Sequence, residues 1–168
     1  MIETNNENIQ LSIERIYKAP IKKVFCAWTD PESLKQWFCP GEMSVPFAEV
    51  DLKVGGKFRI CMKNSENAEE NPGAEYIAFG VYKSIEADQK LVMSWAWEGP
   101  ESHESQLSIF FEDVNGDTKV RMLHERFSSE NERDHHNEGW QGCFNNFESF
   151  LSGNSRQSTS SNTESATM

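Results

Sequence analysis

The chain has 168 residues, the size of one domain, and at that length about two-thirds of the unfolded surface can be buried without a disulfide or a metal as staple. A formal net charge of −11 sets it against nucleic acid and anionic membrane, both of which select basic patches, and is read as a device for solubility, the alternative being an acidic face for a basic partner. The 37% hydrophobic share, with 11 Phe and 5 Trp, is enough for an aromatic core, yet no apolar run approaches the ~20 residues that span a bilayer.

Met1 to Asn8 is polar and acidic, with neither the basic nor the apolar region of an export signal, so residues 1–8 are expected to be a flexible N-terminus of a cytoplasmic protein. Ile9, Leu11 and Ile13 then alternate with Gln10 and Ser12, the pattern of a half-buried strand. Ala19-Pro20 breaks it and starts a helix in which Val24, Phe25 and Trp28 recur at helical spacing. Asp30-Pro31 restarts the chain as cap and first helical position, Leu34, Trp37 and Phe38 form the apolar face of this second short helix, and Cys39-Pro40-Gly41 stops it.

Six more strands are expected. Residues 45 to 52 and 57 to 63 flank the Val54-Gly55-Gly56 turn. After the polar loop 64 to 73 come the alternating sets Ile77, Phe79, Val81; Leu91, Met93, Trp95, Trp97; Leu107, Ile109, Phe111; and Val120, Met122, His124. Short turns between them, such as Asn115-Gly116-Asp117, imply antiparallel meander pairing. Ser129 and Glu132 have capping-box spacing for a last helix, about residues 130 to 151, with Trp140, Cys143, Phe144, Phe147, Phe150 and Leu151 in one stripe. Residues 152–168 lack periodicity and are expected to be a disordered tail, so the single domain spans residues 9–151.

The order strand, two helices, six strands, long helix predicts an α+β fold: a seven-stranded curved antiparallel sheet around the long C-terminal helix. Gly55-Gly56 and Gly80 are the expected bending points. A curved sheet and a straight helix leave a wedge of space between them, and small apolar ligands sit in such places.

Several stretches carry a family resemblance. The run RIYKAPIKKVFCAWTDP from Arg15 to Pro31, followed by Leu34-Lys35-Gln36-Trp37-Phe38, resembles the opening of the Hsp-90 ATPase activator homologue family, within the START and birch-pollen-allergen-like (SRPBCC) superfamily. Val54-Gly55-Gly56-Lys57-Phe58-Arg59, Gly80-Val81-Tyr82, the run from Lys90 to Trp95, the run from Thr118 to His124, and Glu138-Gly139-Trp140 follow in the same order. The resemblance implies a helix-grip fold with a hydrophobic cavity; superfamily members bind lipids, sterols and polyketides, and a few are enzymes. The sequence departs from the family at Cys39, often Gly, and in the long acidic loop 64 to 73, both at the expected cavity mouth.

The expected cavity residues are Trp37, Phe58, Phe79, Trp95, Trp97, Phe111, His124, His136, Trp140 and Phe144. The tryptophans offer area and one N–H donor each, or else serve as core. His124 by strand parity and His136 by helical spacing point inward, either to orient a ligand and exchange protons or as hydrogen-bonded core histidines. Cys39, His124 and Glu125 do not make a triad, because Glu125 has the opposite strand parity. Cys26, Cys39, Cys61 and Cys143 show no ligand spacing and read as free thiols, so no metal site, no cofactor and no catalytic residue is expected. Gly55-Gly56 lacks the pattern of a nucleotide loop.

The expected function is therefore non-enzymatic binding of a small, largely apolar molecule, with neither nucleic acid nor membrane as partner. The alternatives are a module that docks on a chaperone or another protein, and an enzyme of the cyclase or hydratase sort using the two histidines.

Overall fold

Pro20 ends the first strand and begins the first helix, and the same economy recurs at Asp30-Pro31. In the computed structural model, which describes residues 9–100 and 102–153, the elements run β1 (Gln10–Tyr17), α1 (Ile21–Thr29), α2 (Pro31–Trp37), β2 (Ala48–Val50), β3 (Lys57–Lys63), β4 (Glu75–Glu86), β5 (Lys90–Trp97), β6 (Ser105–Val114), β7 (Asp117–Glu125) and α3 (Glu130–Leu151). The expected flexible N-terminus and all but the first two residues of the expected disordered tail lie outside the described residues. Pro20 is the N-cap of α1. Asp30 caps α2, its carboxylate accepting from the Ser33 backbone N–H at 3.0 Å.

The seven strands form one antiparallel sheet in the order β1-β7-β6-β5-β4-β3-β2. All consecutive strands from β2 to β7 pair as a meander, and only β1 is carried across to lie beside β7. Val114 and Asp117 face each other across Asn115-Gly116, both at positive φ, which is the geometry a tight hairpin turn demands. This is an α+β helix-grip fold: α3 packs on one face of the sheet, with Phe147 edge-on to Tyr17 of β1 at 4.9 Å and Trp140 against Trp95 of β5 at 5.4 Å. Ser129 holds the Glu132 N–H at 3.0 Å and Glu132 reaches back to the Ser128 N–H at 2.7 Å, so the start of α3 is capped in both directions.

Two sequence expectations need correction. The strand expected at 45 to 52 shrinks to Ala48–Val50: Ser44 still pairs with Lys63, but one residue out of the Ala48–Ile60 register, and Val45 is buried in the interrupted stretch between them. On β4 the inward residues are Ala78, Gly80 and Tyr82, so Ile77, Phe79 and Val81 belong to the other face and Phe79 is 37% exposed. Hydrophobic weight misleads here. A Cβ at Gly80 would lie 2.7 Å from the Phe58 ring and 2.0 Å from the Ser94 carbonyl oxygen, so the inner face must be small at that point. The pairing of β4 with β5 also shifts register between Tyr82 and Ser84, a bulge the sequence did not signal.

The core runs continuously under α3. Trp37, Trp28, Phe144 and Phe147 pack ring on ring, with Trp37 and Phe147 centroids 4.3 Å apart. Arg59, on the outer face, pairs with Glu98 through two nitrogens. No helix among the described residues is long and apolar enough to cross a membrane.

Candidate functional site: a tryptophan-walled pocket

Helix α3 divides its inward stripe in two. Phe144, Phe147 and Leu151 in its C-terminal half fill the core, whereas Glu132, His136, Gly139 and Cys143, spaced four, three and four residues apart, line an open pocket of about 660 Å³. Trp95 and Trp97 at the end of β5 and Trp140 of α3 supply its aromatic wall. Met62 at the end of β3 and Met43, in the segment after α2, add apolar surface, and Asn64, Glu70 and Asn71 of the β3–β4 loop form the polar rim.

The segment after α2 is pinned to α3. The Asn146 side-chain amide donates to the Cys39 carbonyl at 2.6 Å and to the Gly41 carbonyl at 3.1 Å. Gly142 lets the two come close, since a Cβ there would sit 2.8 Å from Pro40 Cβ. Cys39 is buried and its Sγ donates to the Met43 carbonyl at 3.1 Å, so it belongs to this joint rather than to the opening.

Two histidines stand behind the tryptophan wall, 5.0 Å apart with rings near perpendicular. An indole N–H can only donate, which fixes both tautomers. Trp140 Nε1 donates to His124 Nδ1 at 3.1 Å, so the His124 proton is on Nε2 and goes to Ser105 Oγ at 2.8 Å, which in turn donates to the Trp95 carbonyl at 3.2 Å. Trp97 Nε1 donates to His136 Nε2 at 3.1 Å, so His136 carries its proton on Nδ1, 3.0 Å from the Glu132 carbonyl. All four ring nitrogens are thus satisfied by protein in the neutral state. Burial, with His136 beside it, pushes the His124 pKa well below the ordinary histidine value, and burial also lowers that of His136.

The structure brings together only part of the expected cavity set. Trp95, Trp97, His136 and Trp140 line the pocket, and His124 lies behind them. Phe58 lies deeper, tilted against Trp95 at 6.0 Å, beside an internal void of about 10 Å³, roughly one water's worth of probe space. The indole N–H groups of Trp28 and Trp95, both bordering that void, have no protein acceptor. Trp37 and Phe144 are core, Phe111 packs edge-on to Phe25 at 5.2 Å, and Phe79 faces away from the pocket. Between sheet and helix, then, the interior is filled with aromatic rings, and the space opens at one end, over the first half of α3. Sequence reasoning passed over Met62, although it shares strand parity with Phe58 and Ile60, and Glu132, Gly139 and Cys143, although the spacing from His136 carries them. Met43 and Tyr76 had no such signal. Among the described residues, no group of three or more His, Cys, Asp or Glu is placed to hold a metal.

A seven-stranded antiparallel sheet gripping a C-terminal helix, with two short helices after the first strand, defines the class. The chain matches the family described as Activator of Hsp90 ATPase homolog 1-like protein over residues 18–152, and it belongs to that family. Among solved structures, it is similar to the AHSA1 protein of Silicibacter pomeroyi (21% identity, TM-score 0.74, covering 85% of this chain and 97% of that one). A protein of Rhizobium leguminosarum is 26% identical with a TM-score of 0.71, covering 86% and 94%. The AHSA1-like protein of Aeromonas hydrophila is 24% identical with a TM-score of 0.66, covering 86% and 92%. Among curated proteins, no sequence match was found.

Proposed function

We propose that this domain binds a small, largely apolar molecule in the tryptophan-walled pocket, without transforming it. The observation that carries the reading is the pocket itself: about 660 Å³, within the range of small-molecule sites, with three indoles and two methionines among its lining and a few polar groups at its rim. The binding-only part rests on the histidines. Their ring nitrogens are spent on Trp97, Trp140, Ser105 and the Glu132 carbonyl, so neither offers a lone pair or proton to an occupant unless that network is broken. A thermal-shift screen of apolar molecules tests the reading. A ligand at 100 times its Kd adds about 2.7 kcal/mol, a shift of several degrees in Tm for a domain this size. A broad apolar library that shifts nothing sinks it.

The family description supports a second reading, a module that docks on the chaperone Hsp90. Such docking uses the outer surface and is insensitive to filling of the pocket. Capture of this chain by purified Hsp90 that survives a pocket-filling substitution favours this reading, and loss of capture on filling the pocket argues against it.

A further inference from the structure

His136 and Trp97 are joined by a bond that only one protonation state of the histidine can make. Trp97 Nε1 donates to His136 Nε2 at 3.1 Å, and Nδ1 on the other side of the ring donates to the Glu132 carbonyl at 3.0 Å. Neutral imidazole accepts at one nitrogen and donates at the other, whereas imidazolium donates at both. A second proton on His136 therefore sets N–H against N–H at Trp97. Turning the ring over does not help, since neither of its nitrogens then accepts. Both side chains are half-buried and both line the pocket, unlike the deeper Trp95 and Trp140, so this is the part of the wall within reach of solvent protons.

The groups around His136 keep the neutral ring as its resting form near neutral pH. Burial holds its pKa below the ordinary value; on α3, Glu132 works against this by its carbonyl and its charge, and His135 works with it. From β7 comes His124, its ring 5.0 Å away, from β5 the Trp97 ring at 6.0 Å, and from the β7–α3 connection the Phe127 ring at 4.9 Å. Glu132 is the one acid in that set, and its carboxylate already accepts from the Ser128 N–H and hydroxyl at 2.7 Å each; Glu70 of the β3–β4 loop is the other acidic residue in the lining. His124 is wholly buried and is held lower than His136, so the first proton taken up on acidification goes to His136, and that charge then opposes a second one on His124.

We infer that the pocket is acid-gated: when His136 is protonated, the Trp97 indole loses its acceptor and is no longer held in the wall, and a neutral apolar occupant bound at neutral pH is released. Two effects act in the same direction. The indole comes free, and a positive charge enters the lining of a largely apolar site. The inference rests on the ligand-binding reading above and adds the condition under which the site lets go.

The test follows one probe and one resonance in the whole chain, from about pH 7.5 down to the lowest pH at which circular dichroism shows the native fold. The probe is N-phenyl-1-naphthylamine, an apolar fluorophore that stays uncharged over this range. Its Kd is expected to be level at the upper end and to rise on acidification, by up to about tenfold per pH unit below the folded pKa of His136. The Trp97 indole N–H resonance, assigned by its loss in Trp97→Phe, should move through the same midpoint without any probe present. His136→Gln offers the indole a carboxamide oxygen that does not take up a proton, and the Kd of this variant should be level across the range. A parent Kd that stays level, a Trp97 resonance that does not move in the native chain, or a His136→Gln variant whose Kd rises in parallel with the parent overturns the inference and leaves the binding reading standing. Failure of the probe to bind at any pH overturns both.

Discussion

Trp140 Nε1 donates to His124 Nδ1 at 3.1 Å, and this bond joins the long helix to strand β7 behind the pocket wall. Both residues are almost fully buried, so neither water nor another side chain can replace the partner that a mutation removes. Trp140→Ala therefore creates a cavity and strands an acceptor, and should destabilise the domain by about 3–5 kcal/mol. Trp140→Phe keeps most of the volume but leaves His124 Nδ1 unpaired, at a cost of about 1–3 kcal/mol. Urea unfolding of both variants separates the packing contribution from the hydrogen bond.

The same bond predicts acid sensitivity. In the folded state both histidines have pKa values lowered from 6.5, so the unfolded chain binds more protons than the native one once the pH falls below that value. Stability should be level above pH 6.5 and fall as the pH drops, by up to about 1.4 kcal/mol per pH unit for each histidine until its folded pKa is reached. Protonation of His124 would set Nδ1–H against the Trp140 N–H, donor to donor. Urea melts across this range provide the check; stability that is flat, or that rises on acidification, would contradict the neutral tautomers assigned here.

His136 should behave differently from His124 because it lies at the pocket. His136→Ala frees the Trp97 N–H, but Trp97 is half-buried and solvent can reach it, so the expected loss of stability is no more than about 1 kcal/mol. Trp97 is then no longer held in place, and affinity for an apolar ligand should fall more than stability does. Melts with and without ligand distinguish this from a purely structural histidine, whose removal would cost stability and spare affinity.

Two glycines in one helix should respond oppositely to the same change. Gly139→Ala places a methyl where no atom lies within 4 Å, so it should gain up to about 1 kcal/mol of helix propensity. Gly142→Ala places one 2.8 Å from Pro40 Cβ, and should instead lose about 1 kcal/mol or more as the Cys39–Gly41 segment is pushed from the helix. Thermal melts of the pair measure the difference directly.

Strand parity, turn residues and the cap at Ser129 carried the fold, since each is a local signal with a single structural solution. The α3 boundaries follow from Ser129 and Leu151, and the inward placing of Trp95, Trp97 and His124 from period-two alternation. Phe79 shows where such reasoning stops. A strand with apolar residues on both faces has no parity signal, and the choice was made by Phe58 and the Ser94 carbonyl closing on Gly80, contacts distant in sequence. The site was half legible for the same reason. Trp140 and His136 follow from the helix, but whether space remains beside them depends on how Pro40, Met43 and the β3–β4 loop close over it, and no local pattern encodes that. Trp37, Phe111 and Phe144 are inward residues too, yet other rings fill the space around them.

The most direct measurement of the central claim is a binding titration of Gly139→Leu beside the unmodified chain. Gly139 lines the pocket and a Cβ there would have no atom within 4 Å, so a leucine starts into open space from the helix side and improves helix propensity by up to about 1 kcal/mol. The account predicts a variant that melts at or above the temperature of the parent and has lost the apolar ligands that the parent binds. A variant equally stable that retains those ligands at undiminished affinity would show that binding lies elsewhere, and would contradict the assignment of this pocket.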